Sequence, residues 1–205
     1  MAELSRGRSN APGRARRARR ETYRRILVVA EGETTEKQYV ELLTQKLRSK
    51  GVNVSVKTAH GASDPVSVVR KAMQMQAAAR ALAEPYYQSV CLVDVDDHAH
   101  LDSAIELAER HGILLLISNV KFELWLLWHV DASTGAKTSR QLDDSMSRHG
   151  LFQKKKHLAA NFPFERYEAA VRVARRADPD LAPGRKGSNP STALPILVDI
   201  LLGKT

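Results

Sequence analysis

The sequence predicts an α/β fold: a mostly parallel, Rossmann-like sheet of four strands flanked by helices, followed by a helical C-terminal part. Short apolar runs alternate with helical patterns as far as residue 118, and only helical patterns follow. No apolar run approaches the length of a membrane span. Because crossovers between parallel strands are right-handed, the strand C-termini should all lie at one edge of the sheet, where α/β proteins bind ligands.

Four short segments carry the strand signal. Residues 26–30, 89–95 and 113–117 are largely aliphatic runs, which is typical of strands buried on both faces. Residues 52–57 alternate valine with polar side chains and predict a half-buried strand.

Helices are predicted from apolar residues at helical spacing and from residues that favour helix ends. Thr35 and Gln38 form a capping-box pattern at the start of the first helix, and Pro65 suits the first turn of the second. His111-Gly112 closes the third helix. Later helices are predicted over residues 122–129, 138–149, 163–177 and 189–202, the last opened by Asn189-Pro190.

The length of 205 residues favours one domain, and the positive charge is unevenly distributed along it. Nine arginines and two glutamates among residues 1–25 account for +7 of the net charge of +9. We therefore predict a disordered, arginine-rich tail over residues 1–24 and a folded domain over residues 25–205, with an α/β core at about 25–130 and a helical part at about 131–205. The tail either adds non-specific affinity for phosphates or is a solvated extension or an artefact of start-site choice.

Two features of the sequence limit the kinds of site it can form and the place where we expect the protein to act. Cys91 is the single cysteine, so the sequence forms neither an internal disulfide nor a thiolate-rich zinc site. The arginine-rich start lacks the apolar segment of a secretory signal. We therefore expect a cytoplasmic protein that does not associate with membranes.

Acidic residues follow two of the predicted strands. Glu31 comes directly after the first, and Asp94, Asp96 and Asp97 end the third. Carboxylates this close repel one another, and they are hard oxygen ligands of the kind that Mg²⁺ prefers, with Mn²⁺ as a possible substitute. All four are therefore predicted metal ligands. A cluster of turn and capping residues explains the aspartates equally well, and Asp97 could cap the next helix.

The residues around Glu31 suggest separate roles. Gly32 permits a tight turn and a close approach to the backbone, and Glu31 could bind the metal or transfer protons. Glu33 and Glu36 are assigned to the positively charged start of the following helix, which acidic side chains stabilise.

Two polar residues lie among the large apolar side chains of residues 122–129. Glu123 is either a further carboxylate at the same sheet edge or a buried acid paired with an arginine or lysine. His129 is either a proton shuttle or a core residue with its hydrogen bonds satisfied, and the second interpretation is favoured. Trp125 and Trp128 are predicted to lie in the core.

Basic and hydroxyl side chains of the C-terminal part are candidate contacts to nucleic acid: Lys155, Lys156, Arg185, Lys186 and Ser191. The run that contains Lys155 and Lys156 could bind a phosphate backbone, although such runs usually lie on a solvated face. The start of the helix predicted after Asn189-Pro190 could bind an anion, or these residues could simply cap it.

Several motifs resemble known families. Glu31-Gly32 and Asp94-Val95-Asp96 resemble the acidic motifs of the Toprim fold, which occurs in topoisomerases, primases and several nucleases. A glycine often follows the second aspartate in Toprim enzymes, whereas Asp97 stands here.

A second resemblance rests on residues 26–36, on Ser118-Asn119 with residues 122–129, and on Asn189-Pro190-Ser191-Thr192. In these motifs, and over roughly residues 24–202, the chain resembles RloB-like proteins.

This resemblance implies a Toprim-like Mg²⁺-dependent nuclease that cleaves DNA or RNA, with Glu31, Asp94, Asp96 and Glu123 as catalytic residues. RloB-like proteins are bacterial, are associated with phage defence and restriction loci, and often occur beside a partner ATPase, which we expect to be of the AAA or ABC type. Two alternatives stay open. One is a tRNA- or RNA-cleaving, toxin-like effector of abortive infection, and the other is a non-catalytic subunit that binds nucleic acid or the ATPase. A homo-oligomer is compatible with the sequence.

Overall fold

The computed structural model describes residues 24–47, 52–59, 64–95, 100–153 and 156–204. Within these ranges one sheet has the strand order β2-β1-β3-β4-β5, in which the first four strands are parallel and β5 is antiparallel to β4. The α/β fold with a mostly parallel sheet is confirmed, and the fifth strand is an addition to the four predicted. The strands are β1 (Arg24–Ala30), β2 (Val52–Thr58), β3 (Gln88–Asp94), β4 (Ile113–Asn119) and β5 (Ser191–Thr192).

Helices connect the parallel strands and make up most of the chain after β4. Among the residues described, none of the helices is both long enough and apolar enough to cross a bilayer. The predicted tail lies almost wholly outside the described residues. The helices are α1 (Thr35–Leu47), α2 (Pro65–Ala81), α3 (Leu101–Arg110), α4 (Glu123–Leu127), α5 (Ser139–Arg148), α6 (Tyr167–Ala177), which follows a 3₁₀ turn at Phe164–Arg166, and α7 (Leu194–Leu201).

The two faces of the sheet bury two separate apolar cores. Alternate residues of β1 point to opposite sides, so that Ile26 and Val28 join one core while Leu27 and Val29 join the other. The smaller core is closed by α2 and α3, and the larger by α1 together with the helices after β4. Trp125 belongs to the larger core, as predicted. The C-terminal helices therefore complete one face of the sheet.

The start of α1 differs from the sequence-based expectation in its hydrogen bonds. Thr35 and Gln38 do not form a capping box, because both side chains bond to a distant loop: the Thr35 hydroxyl donates to the Lys156 carbonyl (2.9 Å), and the Gln38 amide oxygen accepts the Leu158 N–H (2.9 Å). By contrast, α2 begins as predicted, with Pro65 in its first turn and Asp64 as its cap.

The last predicted helix begins later than expected. Residues 191–192 form β5 instead of a first helical turn, and α7 starts at Leu194. The backbone of β5 pairs with Ser118 and Asn119 at the end of β4, and the Ser118 and Thr192 hydroxyls lie 2.9 Å apart. These long-range bonds outweigh the local helix-start signal of Asn189-Pro190.

Candidate functional site

Three strand ends bring acidic residues to one edge of the sheet. Glu31 follows β1, Asp94 is the last residue of β3, and Glu123 begins α4 shortly after β4. The Glu31 N–H donates to the Leu92 carbonyl (3.2 Å), which fixes the end of β1 against β3. Asp94 pairs in register with Ser118 of β4. The convergence of Glu31 and Asp94 follows from the parallel topology that the sequence predicts.

Asp94, Glu123 and residues 32–36 after β1 line a pocket of about 660 Å³, which we call the acid pocket. Its wall carries acidic, basic and hydroxyl side chains and no aromatic ring, so among the residues described it offers charge and hydrogen bonds instead of a surface for base stacking. The lining residues include Glu36, Asp94, Lys121, Glu123, Asp143 and Lys156.

Glu36 is a pocket residue that the sequence analysis assigned to helix stabilisation. Its carboxylate lies directly over Gly32, in the space that a Cβ atom at that position would occupy. Gly32 therefore lets the Glu36 carboxylate approach the turn after β1. The pKa of Glu36 is raised to about 7, chiefly by burial and in addition by the negative charges of Glu123 and Glu31. Gly32, four residues earlier, was the available sequence signal.

Asp94 is perturbed in the same direction. Its pKa is raised well above the ordinary value, chiefly by burial and then by the charges of Glu36 and Glu123. A backbone hydrogen bond from Phe122 acts the other way but does not offset them. The carboxyl groups of Glu31, Glu36, Asp94 and Glu123 therefore lie close enough to act on one another, at a free-energy cost that a bound cation would remove.

The donor set suits a hard divalent cation, although the described side chains are not already arranged around one. Carboxylate oxygens are the ligands that Mg²⁺ prefers. Within residues 24–47, 52–59, 64–95, 100–153 and 156–204, no group of three or more acidic, histidine or cysteine side chains is placed to hold a metal ion. The predicted ligands Asp96 and Asp97 lie outside the described residues. Glu31, Asp94, Glu36 and Glu123 are the described residues that could hold the ion.

Two lysines balance part of the negative charge. The Lys121 ammonium lies 2.6 Å from the Asp143 carboxylate, and the Lys121 side chain is only 9% exposed. The Lys156 ammonium lies 3.6 Å from the Glu123 carboxylate, and the Lys156 side chain is 70% exposed. The sequence allowed two interpretations of Glu123, and both describe it. It is a nearly buried acid with a lysine partner, and it lines the pocket together with Asp94.

Three of the other predicted nucleic-acid contacts, Arg185, Lys186 and Ser191, do not line this pocket. Lys155 is outside the described residues. Arg185 pairs with the buried carboxylate of Asp178 at 2.5 Å, and Lys186 is exposed beside it. Ser191 is only 2% exposed within β5, so its prediction as a nucleic-acid contact is corrected: it supports the sheet. Among the described members of the predicted set, Lys156 is the one that lines the pocket.

Comparison with protein-family models gives a match to the RloB-like protein family over residues 26–201. The chain belongs to the RloB-like family. None of the curated proteins compared with it matches.

In the fold, the middle and C-terminal motifs of this RloB-like chain contact each other. Ser118, Asn119, Ser191 and Thr192 form what we call the strand clamp, in which β4 and β5 pair and the Ser118 and Thr192 hydroxyls meet. The Asn119 amide also donates to the Gly187 carbonyl (2.8 Å). The strand clamp fixes the end of β4, from which the chain turns to Glu123.

His129 lies in the core of the RloB-like domain and not in the pocket. The Trp125 carbonyl can only accept, so Nδ1 of His129 carries the proton that it donates to this carbonyl (3.0 Å), and Nε2 accepts from the Tyr39 hydroxyl (3.1 Å). Burial lowers the pKa of His129 to about 4, which keeps the ring neutral at physiological pH. The structure agrees with the favoured core interpretation.

Proposed function

We propose that this RloB-like protein is a Mg²⁺-dependent nuclease of the Toprim kind that hydrolyses phosphodiester bonds of DNA or RNA. The main support is the pocket at the end of the parallel strands, where carboxyl groups from three strand–helix connections crowd together and the pKa values of Glu36 and Asp94 are raised. On the family resemblance, the protein acts in the bacterial cytoplasm as an effector of anti-phage defence, together with an AAA- or ABC-type ATPase.

Each candidate acid has a proposed role. Glu31, Asp94 and Asp96 hold the ion, with Asp97 as a further ligand and Glu123 as a fourth catalytic acid. When bound, Mg²⁺ or Mn²⁺ supplies Lewis-acid polarisation of the phosphate and a hydroxide from water. Glu36, with its pKa of about 7 in the cation-free protein, can hold or release a proton at a carboxyl oxygen near neutral pH.

A non-catalytic role is the second candidate, because the described side chains do not already form a three-ligand set. In that case the domain binds nucleic acid or a partner ATPase without cleavage. A tRNA- or RNA-cleaving effector of abortive infection shares the proposed metal site and differs in its substrate.

The test is cleavage by the full chain of plasmid DNA, single-stranded DNA and total tRNA, with Mg²⁺, with Mn²⁺ and with EDTA. We expect ion-dependent cleavage of one substrate class by the wild type, abolished by EDTA and by Asp94→Asn. Mapping the ends of the products then separates a DNA nuclease from an RNA-cleaving effector. Equal cleavage by the wild type and Asp94→Asn would contradict the proposed site. Binding without cleavage, even with a co-purified ATPase, would establish the non-catalytic role.

A further inference from the structure

Lys156 reaches the acid pocket from the C-terminal part of the chain. Phe152 and Leu158 form an isolated antiparallel bridge, and the Gln153 N–H donates to the His157 carbonyl (2.7 Å). We call residues 152–153 and 156–158 the lysine loop. Its amino-acid sequence is remote from the strands that supply the acids, so its approach to them is a property of the folded chain.

The lysine loop is attached to the start of α1 by two specific bonds. The buried Thr35 hydroxyl donates to the Lys156 carbonyl (2.9 Å), and the Leu158 N–H donates to the Gln38 amide oxygen (2.9 Å). Lys156 itself has a φ of +59°, a left-handed conformation that non-glycine residues seldom adopt. Such conformations persist where the surroundings fix them, and they concentrate at functional sites.

This attachment places the Lys156 ammonium 3.6 Å from Glu123 and within the wall of the pocket. The two pocket lysines then differ in their freedom to change partner. Lys121 is 9% exposed and held at 2.6 Å by Asp143, so withdrawing it would leave a buried charge. Lys156 is 70% exposed, and an exposed ammonium exchanges an ion pair for water or another anion at small cost.

We propose that Lys156 changes partner during the reaction: it pairs with Glu123 while the pocket holds no divalent cation, and on cation binding it moves to a non-bridging oxygen of the scissile phosphate. This inference rests on the proposed nuclease function. Competition drives the exchange, because the ammonium and the divalent cation are both attracted to the same nearly buried carboxylate. The freed ammonium then lies at the mouth of the pocket, where it contacts the phosphate and neutralises charge in the transition state.

The exchange predicts that one substitution changes two measurements in opposite directions. Lys156→Met removes the competing cation, so the full chain should bind Mn²⁺ tighter, on the order of fivefold by titration calorimetry without substrate. The same variant loses the phosphate contact, so its rate of cleavage at saturating Mn²⁺ should fall on the order of a hundredfold. Lys156→Arg keeps the charge and should retain the Mn²⁺ affinity of the wild type. Lys71→Met, at an exposed position on α2, is the matched control and should change neither quantity.

The other outcomes separate the two proposals. If the wild type neither binds Mn²⁺ nor cleaves, the nuclease proposal is wrong, and the exchange that rests on it is overturned with it. If the wild type is active and Lys156→Met lowers both Mn²⁺ affinity and cleavage, the lysine supports the local structure and the exchange is wrong. If Mn²⁺ affinity is unchanged while cleavage falls, Lys156 binds the phosphate without competing with the ion, which also overturns the exchange. Thermal unfolding of each variant identifies loss of folding.

Discussion

The strand clamp and the acid pocket lie next to each other at the ends of β3 and β4. The buried polar groups of the strand clamp are hydrogen-bonded to each other, whereas those of the acid pocket are acids that repel one another. In the strand clamp the buried hydroxyls of Ser118 and Thr192 satisfy each other at 2.9 Å. In the pocket, burial and the charges of neighbouring carboxylates raise the pKa values of both Asp94 and Glu36. A paired polar group stabilises the fold, whereas crowded like charges destabilise it and are typical of sites that bind a ligand.

The largest expected effect comes from removing one charge of the pocket. Asp94→Asn keeps the shape of the side chain but removes an acid whose charged form burial disfavours. We expect cleavage to fall at least about a hundredfold, while the melting temperature of the cation-free protein rises because repulsion is relieved. Cleavage assays and calorimetry measure the two effects. Asp102→Asn, on the exposed side of α3, should alter neither. A lower melting temperature for Asp94→Asn would show that this carboxylate stabilises the fold.

The pH dependence of stability tests the crowding directly. Because the pKa of Glu36 rises from 4.5 to about 7 on folding, the folded state binds more protons than the unfolded state between these values. Stability contributed at this site is therefore highest below about pH 4.5 and declines as the pH rises to about 7, by about 2–3 kcal/mol. Urea unfolding in EDTA at pH 5 and pH 8 measures the decline.

Glu36→Gln cannot ionise and should reduce the pH dependence by that amount. Glu106→Gln, at an exposed position on α3, should keep the slope of the wild type. Identical slopes for Glu36→Gln and the wild type would mean that Glu36 is not crowded.

Removing a polar group from the strand clamp should lower the stability of the fold, whereas removing a charge from the acid pocket should raise it. Thr192→Val preserves volume but leaves the buried Ser118 hydroxyl without its partner, so unfolding free energy should fall by about 2 kcal/mol. Adding Ser118→Ala removes the orphaned hydroxyl, and the double variant should be less destabilised than the sum of the two single variants. Urea unfolding of the four proteins completes the cycle. Strict additivity would show that the two hydroxyls do not interact.

The smallest effect concerns Asp64, an acid whose pKa is lowered, whereas the pKa of Asp94 is raised. Asp64 caps α2 and accepts from the Val66 and Ser67 N–H groups and from the Ser67 hydroxyl. The Ser67 hydrogen bond and those from the backbone lower the pKa of Asp64. Asp64→Ala should reduce stability by about 1 kcal/mol in thermal unfolding at pH 7, and Asp64→Asn by less. Because the shift is downward, the difference between wild type and Asp64→Ala should fade as the pH drops through the acidic range, opposite to Glu36. An unchanged difference at low pH would contradict this assignment.

Some positions in the pocket follow from local sequence, whereas others do not. Glu31 and Asp94 were predictable because each ends an aliphatic run, and parallel strands bring their C-termini to one edge. Glu36 was assigned to a helix start because acidic side chains at that position stabilise the positively charged end of the helix. Its carboxylate lies over Gly32, in space that a side chain at that position would fill, and a single glycine has no periodic signal.

Thr35 and Gln38 illustrate the same limit. The spacing of a threonine and a glutamine three residues apart is typical of a capping box. In the folded chain both side chains instead bond to Lys156 and Leu158, about 120 positions later. A local pattern indicates which hydrogen bonds a side chain can make. Which partner it bonds to depends on the atoms that the fold places beside it.

The amino-acid sequence by itself determined the α/β class, the parallel strands, most helix ends and the edge at which Glu31 and Asp94 meet, because hydrophobic period and strand direction are encoded over a few residues. The tertiary structure alone decided the pairing of β5 with β4, the burial of Glu36 and the approach of Lys156 to Glu123. Each of these requires segments from different strand–helix connections to pack together, and the geometry of that packing comes from the two cores as a whole.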